Sequence, residues 1–269
     1  MTGSPWPTME YRGVTLRADP AREACFAVVH QHWQVWMPTP QQPSDPTGRE
    51  GLHSLYNSEV LSLEIAAQLL VEHQDAAWEL RLGLARQCWD EVRHAAMLIA
   101  RLRELGIDKG HFPIINHEWN VVLSFDSLAA RLAVQNRTFE GGSLDGAHVT
   151  RRMFDRMGDL RTAAIIDQIM ADEVEHARFG NEQVRRLAKE DPRNVLRIAQ
   201  AIARLKDIAR ALATQPGEVV VDGHDLAAMK HDVAVQETDR RHAGFTAHEL
   251  GQLQQRDQRA AADHGAPRP

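Results

Sequence analysis

The hexapeptide Asp90-Glu91-Val92-Arg93-His94-Ala95 returns almost unchanged as Asp172-Glu173-Val174-Glu175-His176-Ala177, and this duplication constrains the chain more than anything else in it. In a helix, residues three apart lie on one face about a turn from each other, so each copy presents a carboxylate beside an imidazole. Helical bundles that hold two metal ions use two such Glu-x-x-His helices and one further Glu from each of two others, all pointing inward. The duplication therefore predicts a lone glutamate upstream of each copy.

Glu64 fits the first position on an apolar stripe of Val60, Leu61, Ile65, Ala67, Gln68 and Val71. It precedes Glu91 by 91 − 64 = 27 residues, and a turn centred near Ala77, with Asp75 as N-cap, would bring the two level. Glu59 and Glu72 compete on the same helix; Glu59 falls off the stripe and Glu72 sits too near the turn. For the second position, Glu140 ends a stripe of Val122, Leu128, Ala129, Leu132, Ala133 and Phe139, 173 − 140 = 33 residues before Glu173. Gly141-Gly142 is expected to end that helix, with a short helix over 147–157 forming one wall of an access route to the metals.

The expected metal set is Glu64, Glu91, His94, Glu140, Glu173 and His176, with Glu91 and Glu173 bridging and Glu64 and Glu140 each capping one ion. Asp90 and Asp172 are candidates to hold the imidazole N–H of the opposite helix, as carboxylates commonly do for ligating histidines. Arg137, one turn before Glu140, is a candidate to orient that carboxylate or contact a substrate. His53, His73, His117 and His148 read as surface residues. Four carboxylates and two imidazoles suit two iron ions, or manganese or a mixed pair, and would be costly to bury without divalent cations. Tyr56 lies about 12 Å by helix rise from Glu64, which gives a tyrosyl-radical role little support.

The rest of the sequence agrees with an all-α protein. Its 269 residues are 43% hydrophobic but only 6% aromatic, with few β-branched runs. Main helices are expected over 48–74, 76–105, 118–140 and 159–188, with Gly106 closing the second and a long crossover over 107–117. Residues 1–47 read as an N-terminal extension, irregular to residue 20 and helical over 21–36. Residues 48–190 form the bundle, and 191–269 form a C-terminal helical extension that packs on it, with a helix over 195–212, further amphipathic segments and a polar tail. A net charge of −6 argues against nucleic acid. Cys25 and Cys88 are too few for a disulfide framework, and Cys88 reads as a core residue. With neither a signal-peptide pattern nor a long apolar span, the expected compartment is the cytoplasm, with no membrane association.

The chain resembles the ferritin-like superfamily over at least residues 50–190, and more narrowly a bacterial ferritin-like family of unknown function. The resemblance rests on Glu59 to Glu64, the two Asp-Glu-x-x-His helices, Arg137-Thr138-Phe139-Glu140 with Gly142-Ser143-Leu144-Asp145, and Ala243-Gly244-Phe245 near the C-terminus. It implies a ferritin-like four-helix bundle with a long crossover, and the same six metal ligands. The leading expectation is a non-haem diiron oxidase or oxygenase that activates O2 to oxidise a small organic substrate, with a ferredoxin or reductase where the substrate does not supply electrons. A dimanganese catalase or peroxide-handling protein, and a ferroxidase or iron-binding protein without organic substrate, are the alternatives. A homodimer is a candidate assembly.

Overall fold

The computed structural model describes residues 6–30, 47–213 and 234–255, side chains of 209–213 excepted. The expected C-terminal segments within 214–233, the polar tail over 256–269, and residues 31–36 of the expected N-terminal helix lie outside the described residues. Most described residues are helical: α1 (Arg49–Glu72), α2 (Trp78–Glu104), α3 (His117–Val122), α4 (Leu128–Leu132), a π-helical stretch (Ala133–Phe139), α5 (Glu140–Arg156), α6 (Leu160–Glu190), α7 (Arg193–Ala213), α8 (Glu237–His242) and α9 (247–255). A hairpin of β1 (Thr8–Tyr11) and β2 (Val14–Arg17) precedes them. The chain divides into two compact units, Met1–Gln135 with Gln183–Leu212, and Asn136–Glu182 with Ala213–Pro269.

In the first unit the hairpin replaces the irregular start expected from the prolines. Arg12 and Gly13 both take positive φ, 51° and 77°, giving a two-residue turn whose twist matches that of the paired strands. Residues 21–30 are not helical. Their backbone pairs with the crossover instead, Val29 N–H donating to Ile114 O at 2.9 Å and Ile114 N–H to Ala27 O at 2.9 Å. Gly110 permits that approach, because a Cβ there would stand 2.3 Å from Cys25 O. Tertiary hydrogen bonds have overridden a helical sequence pattern.

Helix α1 packs on α2 and on α3. Apart from Asp90, the buried side chains along α2 are Leu80, Leu84, Gln87, Glu91, His94, Leu98 and Leu102, alternating three- and four-residue steps until a final four. This is the seam of one helix packed along another, leucine at both ends and polar in the middle. On α1, Leu52, Glu59, Ser62, Ala66 and Leu69 form the matching buried row. Each buried leucine contributes about 1.5–3 kcal/mol, so the leucine ends hold the polar centre in place. Helix α2 closes on the expected glycine: Gly106 has φ 79°, its N–H reaches Arg103 O at 3.1 Å, and Ile107 N–H reaches Leu102 O at 2.9 Å. The N-cap of α2 is Ala77 rather than Asp75, and no side chain caps it.

The expected straight helix over 118–140 is broken. After α3 the chain turns and restarts at Ser127, whose Oγ accepts from Ala130 N–H at 3.2 Å. The π-helical stretch that follows runs directly into Glu140. Such stretches recur at functional sites, because the extra residue per turn re-aims the side chains around it.

In the second unit, α5 does not end at Gly141-Gly142 but runs on to Arg156. Neither glycine takes positive φ. Gly141 is small because a Cβ there would lie 3.1 Å from the Phe245 ring. Phe245 belongs to a core with Leu144, Ala177, Ala243 and Leu250. A buried ion pair ties α8 to α5: Arg240 Nη2 donates to Asp145 Oδ2 at 2.6 Å and Arg240 Nε to Asp145 Oδ1 at 3.0 Å. Gln236 N–H adds a bond to Asp145 Oδ1 at 2.8 Å.

Among the described residues no helix is long and apolar enough to cross a membrane.

Candidate metal centre

The polar centre of the α1–α2 seam is a compact set of donors. Glu91 and His94 are fully buried and Glu59 is 6% exposed. His94 Nδ1 lies 2.9 Å from Glu59 Oε2 and 3.2 Å from Glu91 Oε2, while Gln87 Nε2 donates to Glu91 Oε1 at 3.3 Å. One ligand atom from each of Glu59, Glu91 and His94 falls within 4.8 Å of the others. Donors about 2.1 Å from a shared ion stand at most about 4.2 Å apart, so small side-chain movements close this triad on a cation.

Burial raises the Glu59 carboxyl to about 8, despite the hydrogen bond from His94 that opposes it, and the neighbouring Glu91 charge adds to the rise. Two acids this close in a dry site resist ionising together. A divalent cation held between them would remove that conflict by neutralising both carboxylates. Cys88, on the same helix, is not part of the set. Its thiol is pushed up to about 11 by burial first and by Glu91 second, and its Sγ points at Leu63 O, 3.9 Å away.

The second unit carries a triad of the same composition. Glu140, Glu173 and His176 are all buried, each offers a ligand atom within 4.8 Å of the others, and His176 Nδ1 lies 3.4 Å from Glu173 Oε1. Helix α6 reaches the π-helical stretch through Gly180, where a Cβ would stand 2.3 Å from that of Asn136. Asn136 Nδ2 meets His176 O at 3.5 Å. On the adjoining face of α6, Ala177 belongs to the core with Ala243 and Phe245, and Asn181 Nδ2 donates to Ala243 O at 2.9 Å. The Ala243-Gly244-Phe245 sequence near the C-terminus thus supports the helix that carries His176.

Of the six residues expected as ligands, the structure brings Glu91 and His94 together in one unit, and Glu140, Glu173 and His176 in the other. Glu64 is the exception. Its carboxylate is held by Arg22, Nη1 to Oε1 at 2.6 Å and Nη2 to Oε2 at 2.8 Å, and Glu59 stands where Glu64 was expected. The cause is the position of the turn. With α1 ending at Glu72 and α2 starting at Trp78, the midpoint is (72 + 78)/2 = 75, not 77. Residues summing to 150 come level, and 59 + 91 = 150. Five residues further along, Glu64 is rotated about 140° round the helix.

Asp90 is buried and accepts from Arg86 Nε at 3.4 Å and Arg93 Nη2 at 3.1 Å, both on its own helix. Asp172 is half-buried. Arg137 pairs with Glu249 and lies over the Phe245 ring at 5.7 Å, ties that fix α9 to the second unit. His53 and His117 are buried rather than on the surface, and burial lowers both to about 4; for His53 the nearby His111 adds to the effect.

Residues 8–251 match the family described as Protein of unknown function (DUF455), and the chain belongs to it. No curated protein and no solved structure matches the chain.

Proposed function

We propose that this member of the family is a non-haem dinuclear oxidoreductase in which Glu59, Glu91 and His94 hold one ion and Glu140, Glu173 and His176 hold the other, the pair acting together on O2 to oxidise a small organic substrate. The observation that carries the reading is the repetition of one donor set: two buried triads of two glutamates and a histidine, each built on a copy of the duplicated hexapeptide. The reading implies a ferritin-like arrangement of α1, α2, α6 and the helical run from α4 to α5. Oxygen and nitrogen donors without thiolate favour iron or manganese over structural zinc.

Charge supports the stoichiometry. Four carboxylates balance two divalent ions, whereas four bare carboxylates in a core would be costly. Three protein donors per ion leave coordination positions open, which is the mark of a catalytic rather than a structural site. When bound, a reduced iron pair supplies the electrons and the Lewis acidity that O2 reduction needs. The chain itself supplies rigidity and dryness. Leucines at both ends of the α1–α2 seam exclude water, Gln87 steadies one oxygen of Glu91, and Asn136 together with Gly180 fixes the approach of α6 to the stretch that ends in Glu140.

The test is metal content per chain by inductively coupled plasma mass spectrometry, on protein produced with iron and manganese both available, followed by oxygen-uptake screening. Two irons per chain with substrate-dependent uptake supports the proposal. Two manganese ions with peroxide turnover would move the assignment to catalase chemistry. Iron oxidation without organic turnover would favour a ferroxidase. Well-folded protein with no stoichiometric metal overturns all three readings.

A further inference from the structure

Helix α2 carries a second apolar seam, on the face opposite the polar centre. Trp78, Leu82, Trp89 and Val92 are 66%, 56%, 67% and 44% exposed, and Ala85 and Ala96 on the same line are exposed as well. The steps between Trp78, Leu82, Ala85, Trp89, Val92 and Ala96 are four, three, four, three and four. That is the spacing of a helix seam that receives another helix, laid out on a face that none of the described residues covers. Scattered exposed apolar side chains need no explanation; a six-position seam with two tryptophans does.

The seam is complementary to itself. Its positions are symmetric about residue 87, so an antiparallel copy of α2 brings together residues whose numbers sum to 174. Trp78 then faces Ala96 of the second copy, Leu82 faces Val92, and Ala85 faces Trp89. Each tryptophan meets an alanine, and the middle-sized pair meet each other, the large-against-small alternation that lets two helices approach and interdigitate. The flanks agree in charge. Glu79, 73% exposed at its side chain, and Arg93, 42% exposed, lie beside the seam at places that oppose one another across the two-fold axis. This pairing occurs twice by symmetry. Arg86 lies near the axis and faces its own symmetry mate, where its contact with Asp90 at 3.4 Å draws the charge back toward its own helix.

We infer that α2 is a homodimerisation helix, pairing antiparallel with α2 of a second copy through Trp78, Leu82, Ala85, Trp89, Val92 and Ala96. Four exposed tryptophans contribute roughly 500 Å2, and with the leucines, valines and rims the buried total reaches on the order of 1,000 Å2, the lower end for a specific interface. The pairing is therefore of moderate affinity. It is isologous and closes at two copies, so it does not propagate into filaments. The same helix bears Glu91 and His94 on its inner face, so a second copy would shield the outside of a helix that carries metal ligands. The inference does not depend on which metal, if any, those residues hold.

The experiment is sedimentation velocity on the full chain across micromolar concentrations, with circular dichroism on each variant. The wild type is expected to approach a dimer as concentration rises. Trp89→Glu is expected to weaken the association at least about tenfold while leaving the helical signal and melting temperature in place, because the side chain is exposed. Glu79→Arg and Arg93→Glu should each weaken it several-fold, and the double variant should recover most of the loss, since only an opposed pair is restored by exchanging both charges. A wild type that stays monomeric throughout overturns the inference and leaves the seam to a different protein. A dimer indifferent to Trp89→Glu, or a double reversal no better than the worse single, overturns it equally.

Discussion

Replacing Glu59 and Glu64 in turn, each with glutamine, separates the metal site read from the structure from the one expected from the sequence. The two residues share α1 but face different partners: Glu59 reaches His94 at 2.9 Å, and Glu64 is clasped by Arg22 at 2.6 and 2.8 Å. Glu59→Gln keeps the volume and removes the charge from one of three donors in its triad. Loss of a residue that merely supports a ligand typically costs about 10–100-fold in metal affinity, so loss of a ligand should exceed about 100-fold, or roughly 2.7 kcal/mol. Without metal the same change should cost little, because burial already holds this carboxyl near 8 and largely protonated at neutral pH. Glu64→Gln should show the converse. Its ion pair is 30% exposed on the glutamate side, so its loss should cost about 1 kcal/mol of stability in both apo and metal-loaded protein, with affinity unchanged. Competition against a chelator gives the affinities, and denaturant titration of apo and loaded protein gives the stabilities. Metal lost from Glu64→Gln and retained by Glu59→Gln would refute the assignment.

Acid should destabilise the protein through two buried histidines. His53 and His117 sit near 4 in the folded state against 6.5 when unfolded, so between those values the unfolded chain binds more protons and stability falls as pH falls. The slope should be about 1.4 kcal/mol per pH unit for each histidine, and denaturant titrations of His53→Gln should show it reduced. Arg240→Ala leaves Asp145 buried without its partner and should cost about 3–5 kcal/mol, measured by urea unfolding. Gly180→Ala would place a Cβ 2.3 Å from that of Asn136 and force the two segments apart; a loss of about 1–3 kcal/mol is expected, together with weaker metal binding at Glu140, Glu173 and His176. Of the two free thiols, exposed Cys25 should react with a disulfide reagent at neutral pH, while Cys88, held at about 11, should react only on unfolding.

Local chemistry made several features legible without coordinates. The duplicated hexapeptide placed a carboxylate and an imidazole on one face of two helices. Gly106 marked the end of α2, because only a residue tolerant of positive φ closes a helix that way. Even Glu59 had left a trace: it precedes Glu91 by 32 residues, close to the 33 that separate Glu140 from Glu173, whereas Glu64 precedes Glu91 by only 27.

Other features depended on partners distant in the chain. A two-residue difference in where a turn is centred exchanged Glu64 for Glu59, since rotation about a helix axis is set by the loop that joins it to its neighbour. Gly141-Gly142 resembles a helix stop in isolation, but Phe245, more than a hundred residues later, needs that space and the helix continues. Residues 21–30 have a helical pattern, yet their amides bond the crossover near Ile114. The sequence by itself determined that two helices each present a carboxylate beside an imidazole, because that follows from residue type and helical period. Only the tertiary structure decided which glutamate completes the first triad and where the third helix breaks, because those outcomes rest on the packing of segments far apart in the chain.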